Sequence, residues 1–125
     1  MTLPYGATVL EHFRRPRNQR SLEDPTTTRE GYNPLCGDRV RIELQIAGDT
    51  IVAAAFTANA CAICTASASL LTERVSGLSL EHASALTDDE TVAALGTELP
   101  AGRRLCAVLP LRTLREAIAA FQPPA

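Results

Sequence analysis

The chain has no lysine and no tryptophan: all 12 basic residues are arginine, and aromatic residues make up 4% of its 125 positions. So few rings leave no platform for stacking bases, and a formal net charge of −2 removes the attraction on which phosphate-backbone binding depends. No nucleic-acid partner is expected. No apolar run approaches the roughly 18 residues of a membrane span, and the start of the chain lacks a basic region followed by an apolar block. This reads as a cytoplasmic protein with no membrane partner. Four cysteines are too sparse for a disulfide framework, and a reducing compartment turns attention to metal binding or thiol reactivity.

What is present is an ordinary globular composition, 46% hydrophobic and 21% charged, at a length that suits one domain over 1–125. Alanine at 20 positions implies a core built by close helix packing. Val9, Leu10 and Phe13 fall near helical spacing, so an N-terminal helix is expected over Pro4–Arg14, ended by the Arg14-Arg15-Pro16-Arg17 stretch. From Asn18 to Pro34 the sequence is polar and aperiodic, with Pro25, three threonines and Gly31, and reads as a long surface loop covering or gating a site. Strict alternation from Arg39 to Ala47 predicts a half-buried strand with Val40, Ile42, Leu44 and Ile46 inward. Gly48-Asp49 then turns the chain into a second strand over Thr50–Ala58.

A helix buried over most of its circumference follows, carrying Ile63, Cys64, Ala66, Ala68, Leu70, Leu71 and Val75, and ends at Gly77. Two short helices are predicted over Ser79–Leu86 and Asp88–Leu95. The second is opened by a capping box of Thr87 and Glu90 and closed by Gly96. The last helix, from Cys106 to Phe121, puts Leu111, Leu114, Ile118 and Phe121 on one face and tolerates Pro110 only if it lies in the first turn. Strands early and helices late indicate an α+β fold, a small antiparallel sheet with an N-terminal helix and several C-terminal helices packed on it.

The cysteines fall at the ends of these elements. Cys36 lies in Asn33-Pro34-Leu35-Cys36-Gly37-Asp38, where a glycine turn lets a thiolate and a carboxylate converge. Cys61 and Cys106 stand at helix starts, where the dipole favours the thiolate. Three thiolates and one carboxylate, Cys36, Asp38, Cys61 and Cys106, form a donor set suited to Zn²⁺ or cluster iron. On spacing alone, the alternative that each cysteine is a small buried hydrophobe stays open.

The segments NPLCGDRV, CAICTASASLLTE and LCAVLP, together with HFRRPRN near the start, resemble the iron–sulfur cluster assembly scaffold family of IscU and SufU proteins, related to the N-terminal part of NifU. The resemblance implies the SufE/IscU-like fold and a scaffold or sulfur-transfer role rather than a conventional enzyme. It carries the family's ligands onto Cys36, Asp38, Cys61 and Cys106, which would hold a transient [2Fe–2S] cluster or zinc. It makes Cys106 and Cys36 candidate persulfide acceptors. It also implies a pyridoxal-phosphate-dependent cysteine desulfurase as donor and a downstream cluster carrier or apo-protein as recipient.

Departures from the family pattern point toward the SufU type. The histidine that precedes the third cysteine in IscU proteins is Leu105 here, and the chaperone-recognition motif is replaced by Leu99-Pro100-Ala101-Gly102-Arg103. Yet the extra loop of SufU proteins is missing between Cys61 and Cys106. Arg103 matches a basic residue of both types and is an accessory candidate. Cys64 is expected to be buried on the stripe with Ala68 and Leu71, with an accessory sulfur role or a disulfide as alternatives, since positions three apart on a helix share a face. His12 and His82 are expected to be solvated or capping.

Overall fold

The computed structural model describes residues 6–121. The elements run α1 (Ala7–Arg14), β1 (Thr27–Asn33), β2 (Asp38–Ala47), β3 (Thr50–Asn59), α2 (Ala62–Val75), α3 (Leu80–Ser84), α4 (Asp88–Ala94), a 3-10 turn over Ala101–Arg103, and α5 (Arg104–Ala120). The strands form one antiparallel sheet in the order β1-β2-β3, which with the helices makes an α+β fold. Pro4, at the predicted start of α1, and the Pro123-Pro124 end lie outside the described residues.

β2 and β3 form as the alternation predicts. Val40, Ile42 and Leu44 are buried with Ile51, Ala54 and Phe56 in one cluster with Ile63, Leu71 and Val75 of α2 and Leu111 and Leu114 of α5. Each large aliphatic side chain so buried contributes about 1.5–3 kcal/mol. α2 is as enclosed as its two apolar stripes imply, with ten of its residues buried, Ser67, Ser69 and Thr72 among them. Ser67 donates to the Ala107 carbonyl at 2.6 Å, and Thr72 donates back to Ala68 at 2.9 Å, so the hydroxyls of this helix are satisfied inside the core. The Thr87–Glu90 capping box forms in both directions.

Four expectations are corrected. The second half of the predicted loop is β1, paired with β2 from Thr27↔Leu44 to Asn33↔Asp38. An edge strand half open to water needs no apolar alternation, and its polar residues therefore hid it. Only Gly31 betrays it: α5 packs so close that a Cβ there would lie 2.0 Å from Thr113 Oγ1. The rest of the predicted loop lies along the free edge of β3, with Arg20 N–H donating to the Phe56 carbonyl at 2.9 Å and Phe56 N–H to Asn18 at 2.9 Å. Leu22 N–H then donates to Glu43 Oε1 at 2.7 Å. That contact explains why Glu43, outward by alternation, is 4% exposed; Arg41 Nε compensates its charge at 3.0 Å.

Second, α5 begins two residues early, at Arg104, which puts Pro110 inside the helix rather than in its first turn. The ring has no N–H for the Cys106 carbonyl, and the Ser67 bond to Ala107 supports the same stretch from the neighbouring helix. Third, His12 is not solvated but 8% exposed, its Nδ1 2.7 Å from Ser69 Oγ. That hydroxyl also accepts the Arg17 N–H at 2.8 Å. The pair fastens α1 to α2. The fourth correction, the Cys106 thiol, belongs to the site.

Candidate metal centre

One end of the sheet gathers the chemistry. There β1 ends at Asn33, β2 begins at Asp38, β3 ends at Asn59, and α2 starts after Cys61. The four residues Pro34 to Gly37 join β1 to β2. Gly37 takes φ +74, the left-handed region in which a side chain is strained, and its N–H donates to the Asn33 carbonyl at 2.8 Å. The turn lifts Cys36 into an exposed position and drops Asp38 to 2% exposure.

Asp38 then holds the start of α2. Its Oδ1 accepts the Cys61 N–H at 2.9 Å, and Cys61, at the N-cap position, has no cap bond from its own side chain. A carboxylate at a helix N-terminus satisfies an orphan donor and the dipole together. The Cys61 thiol turns back toward the same carboxylate, Sγ to Oδ2 4.0 Å. From the opposite side α5 brings Cys106, its third residue and fully buried, whose Sγ donates to Cys36 Sγ at 3.5 Å.

Among the described residues, one donor atom each from Cys36, Asp38 and Cys106 lies within 4.8 Å of the others. Cys61 stands beside this trio through its contact with Asp38 rather than inside it. The donors fit a thiophilic cation: soft sulfurs in the majority, one hard oxygen, and a spacing that a small inward movement converts to metal–ligand distances. Cys64, one turn into α2, is fully buried, as its stripe predicts. Burial, with Asp38 and Cys61 nearby, pushes its thiol well above the ordinary value. That makes it inert as a nucleophile. Arg103 precedes α5, half-exposed, with its N–H on the Pro100 carbonyl at 2.9 Å. His82 is exposed on α3.

The expected dipole effect on Cys106 is overturned. Desolvation first, then hydrogen bonding to Asp38 and Cys36 and the field of Cys61, push its thiol up rather than down. Burial removes the water that would solvate a thiolate, and the neighbouring donors are anions in waiting. A cation held by Cys36, Asp38 and Cys106 would offset both influences, and its binding there would release protons.

Asn33 was missed by sequence reasoning. It is 6% exposed and pairs with Asp38 at the end of the β1–β2 ladder. An Asn-Pro step ahead of Cys-Gly-Asp is a turn signal that could have singled it out.

The sequence and the fold have counterparts among known proteins. Residues 4–124 match the model of the NifU-like N terminal domain. The chain is 36% identical over 114 residues to a bifunctional protein NifU/MnmA of Rubrobacter xylanophilus, covering 90% of this chain and 23% of that one. It is 35% identical over 79 residues to the zinc-dependent sulfurtransferase SufU of Bacillus subtilis, covering 63% and 53%. These first two relatives are thus spanned for about half their length or less. With the iron–sulfur cluster assembly scaffold protein IscU 1 of Archaeoglobus fulgidus the identity is 34% over 114 residues, 91% of this chain and 74% of that one. A crystal structure of a nitrogen-fixing NifU-like protein (N-terminal) from Brucella abortus superposes with a TM-score of 0.80 at 19% identity, covering 98% and 96%, and so shares the fold. A match over nearly the whole sequence, on a fold whose one sheet end gathers these cysteines and their aspartate, makes this chain a member of the NifU-like N-terminal domain family.

Proposed function

We propose that this protein is an iron–sulfur cluster assembly scaffold, which accepts sulfur from a pyridoxal-phosphate-dependent cysteine desulfurase and holds a transient [2Fe–2S] cluster, or Zn²⁺ in its place, on Cys36, Asp38, Cys61 and Cys106. The observation that carries it is the meeting of Cys36, Asp38 and Cys106 within 4.8 Å, although a turn, a strand and a helix supply them. The relatives named iron–sulfur cluster assembly scaffold protein IscU support the same reading.

The two thiols of the trio differ in access. Cys36 is exposed on its turn and is the sulfur a partner reaches; Cys106 is buried 3.5 Å behind it. In the transfer step an acceptor thiolate attacks the outer sulfur of the donor's persulfide. The bond between that sulfur and the donor's Sγ breaks, the donor leaves as thiolate, and the acceptor carries the persulfide with no net oxidation. Asp38 is the one hard ligand and the arm best suited to open for release of the cargo.

A second reading has its own support: a zinc-dependent relay that passes persulfide on without building a cluster. Leu105, 40% exposed just before Cys106, offers no imidazole at the position where IscU proteins carry histidine, and one relative is named a zinc-dependent sulfurtransferase. Protein purified in air is expected to carry about one Zn²⁺ per chain on the four-ligand set. The deciding experiment is metal and sulfide analysis with visible absorption on protein purified without oxygen. Stoichiometric iron and sulfide without zinc favours the scaffold; zinc with persulfide transfer and no cluster favours the relay. No association with a cysteine desulfurase, and no stimulation of its turnover, would remove both.

A further inference from the structure

We infer that Asn33 is a positioning residue of the metal centre: its backbone and side-chain oxygens shape the turn that presents Cys36, while its side-chain amide donates a hydrogen bond to the Cys106 sulfur. The inference rests on the reading of Cys106 as a ligand and adds a residue outside the four-donor set.

The geometry comes from one residue with four contacts. The Asn33 carbonyl accepts the N–H groups of Cys36 at 3.3 Å and Gly37 at 2.8 Å. Its Oδ1 accepts the Leu35 N–H at 3.2 Å, an Asx-turn, in which the side chain imitates a backbone carbonyl. Its Nδ2 points at Cys106 Sγ, 3.9 Å away across 73 positions of sequence. The orientation of the amide is set by this network: the oxygen must face the Leu35 N–H, so the NH₂ group has to face the sulfur. In the ladder Asn33 is also the partner of Asp38. One buried residue therefore holds the turn of Cys36 through its backbone and side-chain oxygens, pairs with Asp38 across the ladder and reaches the sulfur of Cys106 through its amide.

An N–H donor to a thiolate has a definite consequence. It withdraws electron density from the sulfur, reduces the charge the ligand donates to a bound metal, and holds the sulfur in one rotamer. The Asn33 N–H opposes the field of Asp38, Cys36 and Cys61 around Cys106, all of which would become anionic as ligands. It couples the exposed sulfur to the buried one as well, since any shift of the Asx-turn moves Cys36 and Nδ2 together.

The test uses Co²⁺ as a spectroscopic probe on the metal-free protein. Two variants keep the turn's acceptor and remove the donor. Asn33→Asp is isosteric and places an acceptor oxygen against Cys106; Asn33→Ser retains an oxygen for Leu35 N–H in an ST-turn but is too short to reach the sulfur. The expected result is a shift of the thiolate-to-cobalt absorption to lower energy in both, larger for Asn33→Asp, with metal affinity about 10–100-fold lower by chelator competition. Melting of the metal-free variants gives the control for folding. Unchanged absorption and affinity, with only the melting temperature reduced, would show that Asn33 is structural and overturn the inference. A wild-type protein with no thiolate-to-cobalt absorption would overturn the ligand reading itself, and this one with it.

Discussion

Asp38 has two partners whose loss separates in experiment. Replacing it by alanine removes a ligand oxygen and also the acceptor for the Cys61 N–H at 2.9 Å, a capping contact whose removal costs about 1 kcal/mol. Asp38→Ala is therefore expected to melt slightly lower, to retain metal through the three sulfurs, and to deliver cluster or sulfur more slowly. Cys36→Ser, Cys61→Ser and Cys106→Ser should each weaken metal binding and abolish transfer. Cys64 provides the contrast: fully buried, it should tolerate alanine with metal content unchanged and a stability loss of about 1 kcal/mol from the small cavity. Metal content and transfer rate across these five variants check the assignment. Normal transfer by Asp38→Ala, or loss of metal in Cys64→Ala alone, would show the ligands to be misassigned.

The pairing of elements rests on two local devices, each with a measurable consequence. β1 meets α5 at Gly31, where a Cβ would lie 2.0 Å from Thr113 Oγ1 and 3.1 Å from Leu109 Cδ1. Thr113 is 1% exposed and its hydroxyl is already committed to the Leu109 carbonyl at 2.8 Å, so it has little room to yield. Gly31→Ala is expected to destabilise the protein by about 1–3 kcal/mol. Adding Thr113→Ala should recover part of that loss, a coupling that urea titration of the single and double variants measures. The second device is the His12–Ser69 contact between α1 and α2. Desolvation, then Arg17, lowers the His12 pKa, with Glu73 and Glu11 opposing. Because the unfolded chain protonates this histidine at higher pH than the folded one, its contribution is full above the unfolded value of 6.5. It is lost as pH falls from there through the folded pKa. The stability of wild type should accordingly drop more than that of His12→Gln between pH 7 and 5; parallel curves would dismiss the contact as a pH-sensitive one.

At the scale of the molecule, the candidate centre joins the β1–β2 turn, the head of α2 and the head of α5. A ligand bound only by the folded state stabilises it by mass action, about 2.7 kcal/mol at a hundredfold excess over Kd. For a chain of this length that is a rise in Tm of roughly 10 °C. Calorimetry with and without Zn²⁺ reads it directly, and the rise should disappear in Cys106→Ser while surviving in Cys64→Ala. The surface ion pairs that tie α4 to its neighbours, Asp88 with Arg112 and Arg115, Asp89 with Arg104 and Glu90 with Arg74, are half-exposed or open to solvent and add little. Added salt should therefore shift Tm far less than added zinc.

Sequence by itself determined the elements whose stability is local or whose burial is periodic. The alternation of β2, the two stripes of α2, the Thr87–Glu90 box of α4 and the burial of Cys64 all follow from spacing of 2 or 3.6 and from capping chemistry. The turn at Cys36-Gly37-Asp38 and the helix starts near Cys61 and Cys106 were legible too, because glycine turns and helix starts declare where a chain bends, but spacing alone left open whether these residues meet. Only the tertiary structure decided what depends on a neighbour distant in sequence. β1 exists because β2 takes its backbone bonds and α5 packs on its glycine. Glu43 is buried because the chain before β1 folds over it, and His12 because α2 offers Ser69. The Cys106 thiol is pushed up rather than down because burial among future anions outweighs the helix dipole. Asn33 faces Cys106 across 73 positions, a meeting that no local pattern encodes, since only packing brings the end of one strand against the head of the last helix.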